Sequence, residues 1–179
     1  MHRVRVVKRK TIYLGRIIRL IEEQLVINGR PCIREIIVHP GAAVIVPMLD
    51  ASRLIMVRQY RRAVDRELLE LPAGTLDAKE RPIDCARREL EEETGWRAKR
   101  LKRIGQFYTA PGIISEQITV FLAQGLSPGS ARLDPDESVT SVVLTLRQAM
   151  AREEPSPVWG RWMGNHLVNL RVTHTSNLI

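Results

Sequence analysis

The stretch GTLDAKERPIDCARRELEEETGW, from Gly74 to Trp96, places Glu89, Glu91, Glu92 and Glu93 directly after Arg88. On an α-helix, offsets of three and four residues return to the same face, so Glu89, Glu92 and Glu93 fall within roughly 100° of one another. Like charges spaced in this way destabilise a bare helix by about 0.2–0.5 kcal/mol per pair. A hard dication reverses that sign, because magnesium and manganese prefer carboxylate oxygens, with water and phosphate oxygens completing the shell. Such a centre lowers the pKa of a bound water and neutralises phosphate charge. Glu91 points away at this helical phase and is expected to be dispensable.

The element that must present these groups is bracketed by its own sequence. Pro82 suits a first helical turn and Gly95 the residue just past a helix end, which leaves a helix of about twelve residues. Ile83, Ala86 and Leu90 form an apolar stripe opposite the carboxylates. A Glu run is ordinarily a solvated helix face. Here seven identities coincide at fixed offsets, which at average residue frequencies of about 6% happens by chance on the order of once in a million chains of this length.

The segment resembles the Nudix box, matching every defined position of Gly, five residues, Glu, seven residues, then Arg-Glu-U-x-Glu-Glu-x-Gly-U, where U is bulky and apolar. REIIVHPGAAVIVP, LIMVRQYRR, ELLELPAG and FYTAPGIISEQITVFLA extend the likeness to the ADP-ribose pyrophosphatase branch over roughly residues 34–144. Pro111 in TAPG stands where a proline beyond the box accompanies ADP-ribose preference in that branch.

What the resemblance implies can be written residue by residue. The fold is an α/β/α sandwich around a mixed sheet, with residues 1–38 as an N-terminal antiparallel sheet used in dimerisation and residues 39–179 as the catalytic domain. The activity is hydrolysis of the diphosphate of ADP-ribose to AMP and ribose 5-phosphate, with other nucleoside diphosphate sugars as secondary substrates and Mg2+, or Mn2+ or another divalent cation, as cofactor. Glu89, Glu92 and Glu93 face the metal and the carbonyl of Ala73 completes its coordination, while Arg88 and Glu80 orient the carboxylates. The general base lies on the acidic loop LDPDESVTSVVL, with Glu137 first and Asp136 second. Pro135 and Thr140 stand where the branch carries acids. Arg61, and less directly Arg58, meet the diphosphate or terminal ribose, and Glu116 lines the site. Arg16 and Ile17 are candidates for the adenine surface. The alternatives are a Nudix hydrolase of NADH, diadenosine polyphosphate or capped RNA, or a non-catalytic nucleotide- or nucleic-acid-binding regulator. Retention of Arg88, Glu89, Glu92 and Glu93 argues against the regulator.

Composition agrees with one cytoplasmic globular protein: 179 residues, 44% apolar and 27% charged, are enough for a real core. No apolar run approaches the eighteen or more residues needed to span a bilayer, and no signal-like apolar region follows the basic start MHRVRVVKRK. Cys32 and Cys85 lie apart, outside any metal-binding spacing, and are expected to be reduced and buried. The net charge of +8 is concentrated early, with Arg3, Arg5, Lys8, Arg9, Lys10, Arg16 and Arg19 and no acid among residues 1–20. Such an arm could bind nucleic acid. Its alternation, Arg3-Val4-Arg5-Val6, instead favours a half-buried strand, and the positive charge suits an anionic diphosphate substrate.

Elsewhere Asn28-Gly29 between two apolar runs predicts a hairpin. Strands are expected over AAVIVPML and LIMVRQY, separated by a turn at residues 50–53, and again near residues 101–108, 118–126 and 139–144. A helix is expected near residues 146–153. A second is expected from Ser156-Pro157, with Trp159, Trp162, Met163, His166 and Leu170 as its apolar stripe. Strands interleaved with a few helices make a layered α/β domain.

Overall fold

A computed structural model describes residues 4–132 and 138–151. Ten strands and two helices form a mixed α/β fold: β1 (Val4–Leu14), β2 (Arg19–Ile27), β3 (Arg30–Val38), β4 (Ala42–Pro47), β5 (Arg53–Arg61), β6 (Arg66–Glu70), β7 (Ala73–Thr75), α1 (Pro82–Thr94), β8 (Trp96–Tyr108), β9 (Gln117–Pro128), β10 (Val139–Thr145) and α2 (Leu146–Ala151). The sheets run β1-β2-β3, β10-β5-β6 and β7-β4-β9-β8. The chain divides into two compact units. One holds Met1–Val44, Gly74–Ala86 and Arg103–Phe121; the other holds Ile45–Ala73, Arg87–Lys102 and Leu122–Ile179.

In the first unit β2 pairs antiparallel with both β1 and β3. The expected hairpin joins β2 to β3, and Asn28 and Gly29 take the positive φ values of 52° and 81° that its two-residue turn requires. Beyond β3, Ile37 exchanges backbone hydrogen bonds with Ile113 and Ser115, at 2.8 and 2.9 Å, which fastens the segment leading to Glu116. β1 departs from expectation. The strand forms, but all eleven of its residues are exposed, so the alternation of basic and apolar residues does not make it half-buried. Among the described residues nothing covers the face that carries Val4, Val6 and Leu14.

The second unit is organised on β5, antiparallel to β6 and β10. Leu54, Ile55, Met56 and Val57 are all buried, as in a strand covered on both faces. The turn before it is built by Asp50, whose Oδ1 accepts the backbone N–H groups of Ser52 and Arg53, each at 2.8 Å. These bonds, together with the Arg53 side chain, hold the Asp50 carboxyl well below the usual carboxylate range. α2 starts on a reciprocal cap. The Thr145 hydroxyl accepts the Gln148 N–H at 3.1 Å and the Gln148 side chain accepts the Thr145 N–H at 2.9 Å. The helix expected from residue 156, with its apolar stripe, lies outside the described residues. Among the described residues no helix is long and apolar enough to cross a membrane. Cys85 is buried, whereas Cys32 is only half-buried, because β3 exposes much of its length.

Candidate active site

Local chemistry defines the ends of α1. The carbonyl of Arg81 accepts the N–H groups of Asp84 and Cys85, at 2.9 and 3.1 Å, and Asp84 places its acid in the positive first turn. At the far end Gly95 adopts φ 73° and donates its N–H to the carbonyl of Glu91 at 2.8 Å, a left-handed cap that a residue with a Cβ would strain. The buried stripe is Cys85, Ala86 and Leu90, continuing to Glu93 and Thr94. Ile83, expected in that stripe, is half-buried in the first turn. The stripe runs one residue further round the helix, and this carries Glu93 to its edge.

Glu93 is therefore a carboxylate 5% exposed. Its Oε2 accepts the N–H of Ala73 at 3.0 Å, so the backbone at Ala73 lies directly beside the helix carboxylates. Arg88 Nη1 donates to Glu89 Oε1 at 2.6 Å and to Glu92 Oε2 at 3.1 Å. One guanidinium thus ties together two carboxylates a turn apart. Glu91 is turned to other partners, with Arg97 Nη2 at 2.6 Å from its Oε1 and the Ser130 N–H at 3.3 Å. The Arg97 guanidinium holds its carboxyl below the ordinary range.

Among the described residues no three His, Cys, Asp or Glu side chains converge as they stand on one metal-sized point. Glu89 and Glu92 turn to Arg88, and Glu93 to Ala73. The donor set nevertheless fits a hard divalent cation. Three carboxylates on consecutive turns, one of them buried beside a backbone segment, offer only oxygen donors, and a shared guanidinium is a charge that a dication could replace.

The family model of the NUDIX domain matches residues 39–162. This chain belongs to the Nudix family. It is 40% identical over 156 residues to the ADP-ribose pyrophosphatase of Bacillus subtilis (strain 168), covering 86% of this chain and 84% of that protein. It is 37% identical over 147 residues to the methanol dehydrogenase activator of Bacillus methanolicus, covering 80% of each. A crystal structure of an ADP compounds hydrolase superposes with a TM-score of 0.79 at 25% identity, over 98% of this chain and 97% of that one. The chain is a Nudix pyrophosphohydrolase.

Outside the Nudix box the expected groups take distinct places. Arg61 is held by Glu70, with Nε and Nη2 each 2.8 Å from Oε2, and Glu70 itself is buried. Arg58 and Arg61 are an odd number of residues apart on β5, so they leave opposite faces of its sheet, and a ligand lying on one face meets one of them. In the other unit Glu116 lies 3.7 Å from His39 Nδ1, which accepts the Gly41 N–H at 3.0 Å. The Ser115 hydroxyl accepts the His39 N–H at 3.0 Å. Arg16 and Ile17 form the exposed turn between β1 and β2, closed by Gly15 N–H to the Ile18 carbonyl at 2.9 Å. Asp136 and Glu137 lie outside the described residues.

Glu80 accepts the Asp77 N–H at 3.0 Å and returns its own N–H to the Asp77 carbonyl, closing the turn that leads to α1. Sequence reasoning missed Glu70, His39 and Arg97 as partners of Arg61, Glu116 and Glu91. No motif links these pairs, although an acid nine residues after Arg61 in a hairpin-like stretch was a signal that could have been used.

Proposed function

We propose that this Nudix pyrophosphohydrolase cleaves the diphosphate of ADP-ribose to AMP and ribose 5-phosphate in the presence of Mg2+ or Mn2+. The observation that carries the reading is Glu93, buried and hydrogen-bonded to the backbone of Ala73, in the same helix as Glu89 and Glu92. The 40% identity to an ADP-ribose pyrophosphatase over most of both chains supports the substrate.

Glu89, Glu92, Glu93 and the carbonyl of Ala73 would hold the cation. When bound, it supplies water of lowered pKa and charge neutralisation at the phosphates. Arg88 orients Glu89 and Glu92 and balances their charge until the cation arrives. In our reading Glu137, with Asp136 second, takes the proton of the attacking water. The water oxygen bonds to one phosphorus while the bond from that phosphorus to the bridging oxygen breaks, and the leaving phosphate keeps the electron pair. Arg61, already oriented by Glu70, clamps a phosphate or the terminal ribose with its planar fork. Arg58 is the second choice for that role, and Glu116 lines the sugar end. In a homodimer built on the β1–β3 sheet, Arg16 and Ile17 would supply surface for adenine. We place the enzyme in the cytoplasm.

A panel of ADP-ribose, other nucleoside diphosphate sugars, NADH, diadenosine polyphosphates and capped RNA, run with Mg2+ and with chelator, tests the reading. Chelator-sensitive formation of AMP and ribose 5-phosphate, fastest from ADP-ribose, is expected. Faster cleavage of another nucleotide replaces the substrate, and isotopically labelled water reports which phosphorus is attacked.

A further inference from the structure

Glu91 stands between residues assigned to the cation and shares none of that work, yet a strand exit is built around it. Three donors from residues 129–132 meet the end of α1. Gly129 N–H reaches the Gly95 carbonyl at 2.7 Å, Ser130 N–H the Glu91 carboxylate at 3.3 Å, and Arg132 N–H the Glu92 carbonyl at 3.1 Å. Helix ends leave their last carbonyls without partners inside the helix, and this strap of chain satisfies two carbonyls at that end. Arg97, just past the helix, closes the arrangement from the other side through its 2.6 Å ion pair with Glu91.

Gly129 supports the same picture. Its backbone lies outside the left-handed region, so conformation does not call for glycine there. Space is tight, however: a Cβ at this position would come to 3.0 Å from Glu91 Oε1 and 3.1 Å from Arg97 Cγ, so one of these side chains would have to shift by a few tenths of an ångström. The missing side chain makes room for the Glu91–Arg97 pair.

We propose that Glu91 is a positioning residue: with Arg97 it holds residues 129–132 against the end of α1 and so fixes the helical turn that carries Glu92 and Glu93. This rests on the reading of Glu92 and Glu93 as metal-facing. The ion pair is partly exposed and adds little stability by itself; its value is geometric, since a displacement of about 1 Å at a reacting centre can cost on the order of 10²-fold in rate.

Three variants of the full chain separate positioning from simple stability. Glu91→Ala removes both contacts, Glu91→Gln keeps an acceptor for the Ser130 N–H, and Gly129→Ala crowds the strap with Glu91 in place. Each is read for Mn2+ affinity by electron paramagnetic resonance without nucleotide, for kcat and KM toward ADP-ribose, and for thermal midpoint. Glu91→Ala is expected to weaken Mn2+ binding about fivefold and lower kcat about tenfold, as when groups that orient metal ligands are lost, with KM within about twofold. Gly129→Ala should reproduce this pattern and Glu91→Gln should recover most of it. Unchanged Mn2+ affinity and kcat in both alanine variants overturns the proposal, as does a loss that merely follows the folded fraction. If the wild-type chain leaves ADP-ribose intact, the substrate reading falls while the Mn2+ measurement still decides the strap.

Discussion

α1 and the start of β1 both carry a periodic sequence pattern, and the structure treats them differently. In α1 Cys85, Ala86 and Leu90 are covered, Ile83 is half-buried and Glu93 lies at the edge of the buried stripe, so pattern and burial largely agree. Leading into β1, basic and apolar residues alternate from Arg3 to Val6 before the runs Val6-Val7 and Lys8-Arg9-Lys10, yet among the described residues both faces of the strand are open and Leu14 is 74% exposed. A periodic pattern says which residues share a face. It does not say that anything covers that face. α1 finds its cover within its own chain; β1 presents Val4, Val6, Ile12 and Leu14 as a surface that a second copy of the chain could bury, which is our reading of the dimer.

The largest effect that sharpens the contrast belongs to α1. Glu93→Gln keeps the shape and an acceptor for the Ala73 N–H but removes the charge, and kcat should fall by at least about 100-fold, since losing even a group that only orients a ligand costs 10–100-fold. A magnesium titration with circular dichroism as the folding control checks this, and near-normal turnover would remove Glu93 as a ligand. Next comes the base. Glu137→Gln should lower the rate by about 10²-fold, more than Asp136→Asn, and a pH–rate profile should lose its acidic limb. The opposite order moves the base to Asp136.

For β1 the expected effect is smaller and concerns assembly. Val6→Asp combined with Leu14→Asp should weaken self-association about tenfold or more, measured by sedimentation, while the thermal midpoint of the monomer stays close to wild type. A wild-type chain that sediments as a monomer at all concentrations would leave the exposed face without the partner we assign to it. The smallest effect lies in the turn before β5. The Asp50 carboxyl is held low first by the Ser52 N–H and then by the Arg53 side chain. A depressed folded-state pKa stabilises above the unfolded value of about 3.9 and loses that stabilisation as pH falls from there toward the depressed value. Asp50→Ala should therefore lower the thermal midpoint by about 1–2 °C at pH 7, a gap that narrows below about pH 4 in calorimetry.

Much of the fold was legible where the causes are local. Asn28-Gly29 made its hairpin, Pro82 and Gly95 bracketed α1, and the apolar run before Arg58 became a strand buried on both faces. β6 and β7 were not foreseen as strands. Arg66–Glu70 is short and charged at both ends, and it becomes a strand only because β5 offers it a pairing edge. Within the candidate site the carboxylate face could be read from spacing, because helical geometry fixes neighbours three and four residues apart. The partners that hold the other groups could not. Glu70 reaches Arg61 across a strand pair, His39 approaches Glu116 from 77 positions away in the chain, and Ser130 meets Glu91 after the two strands β8 and β9.

The amino-acid order alone determined the family, the helix that bears the carboxylates, its two ends and its turn chemistry, because those depend on hydrogen bonds and offsets closed within a few residues. Only the tertiary structure decided that Glu93 is buried beside Ala73, that Arg61 is restrained by Glu70, that Glu91 is tied to residues 129–132, and that β1 is left exposed among the described residues. Those outcomes depend on which distant segments are brought together, and side-chain periodicity along one segment carries no information about what arrives opposite it.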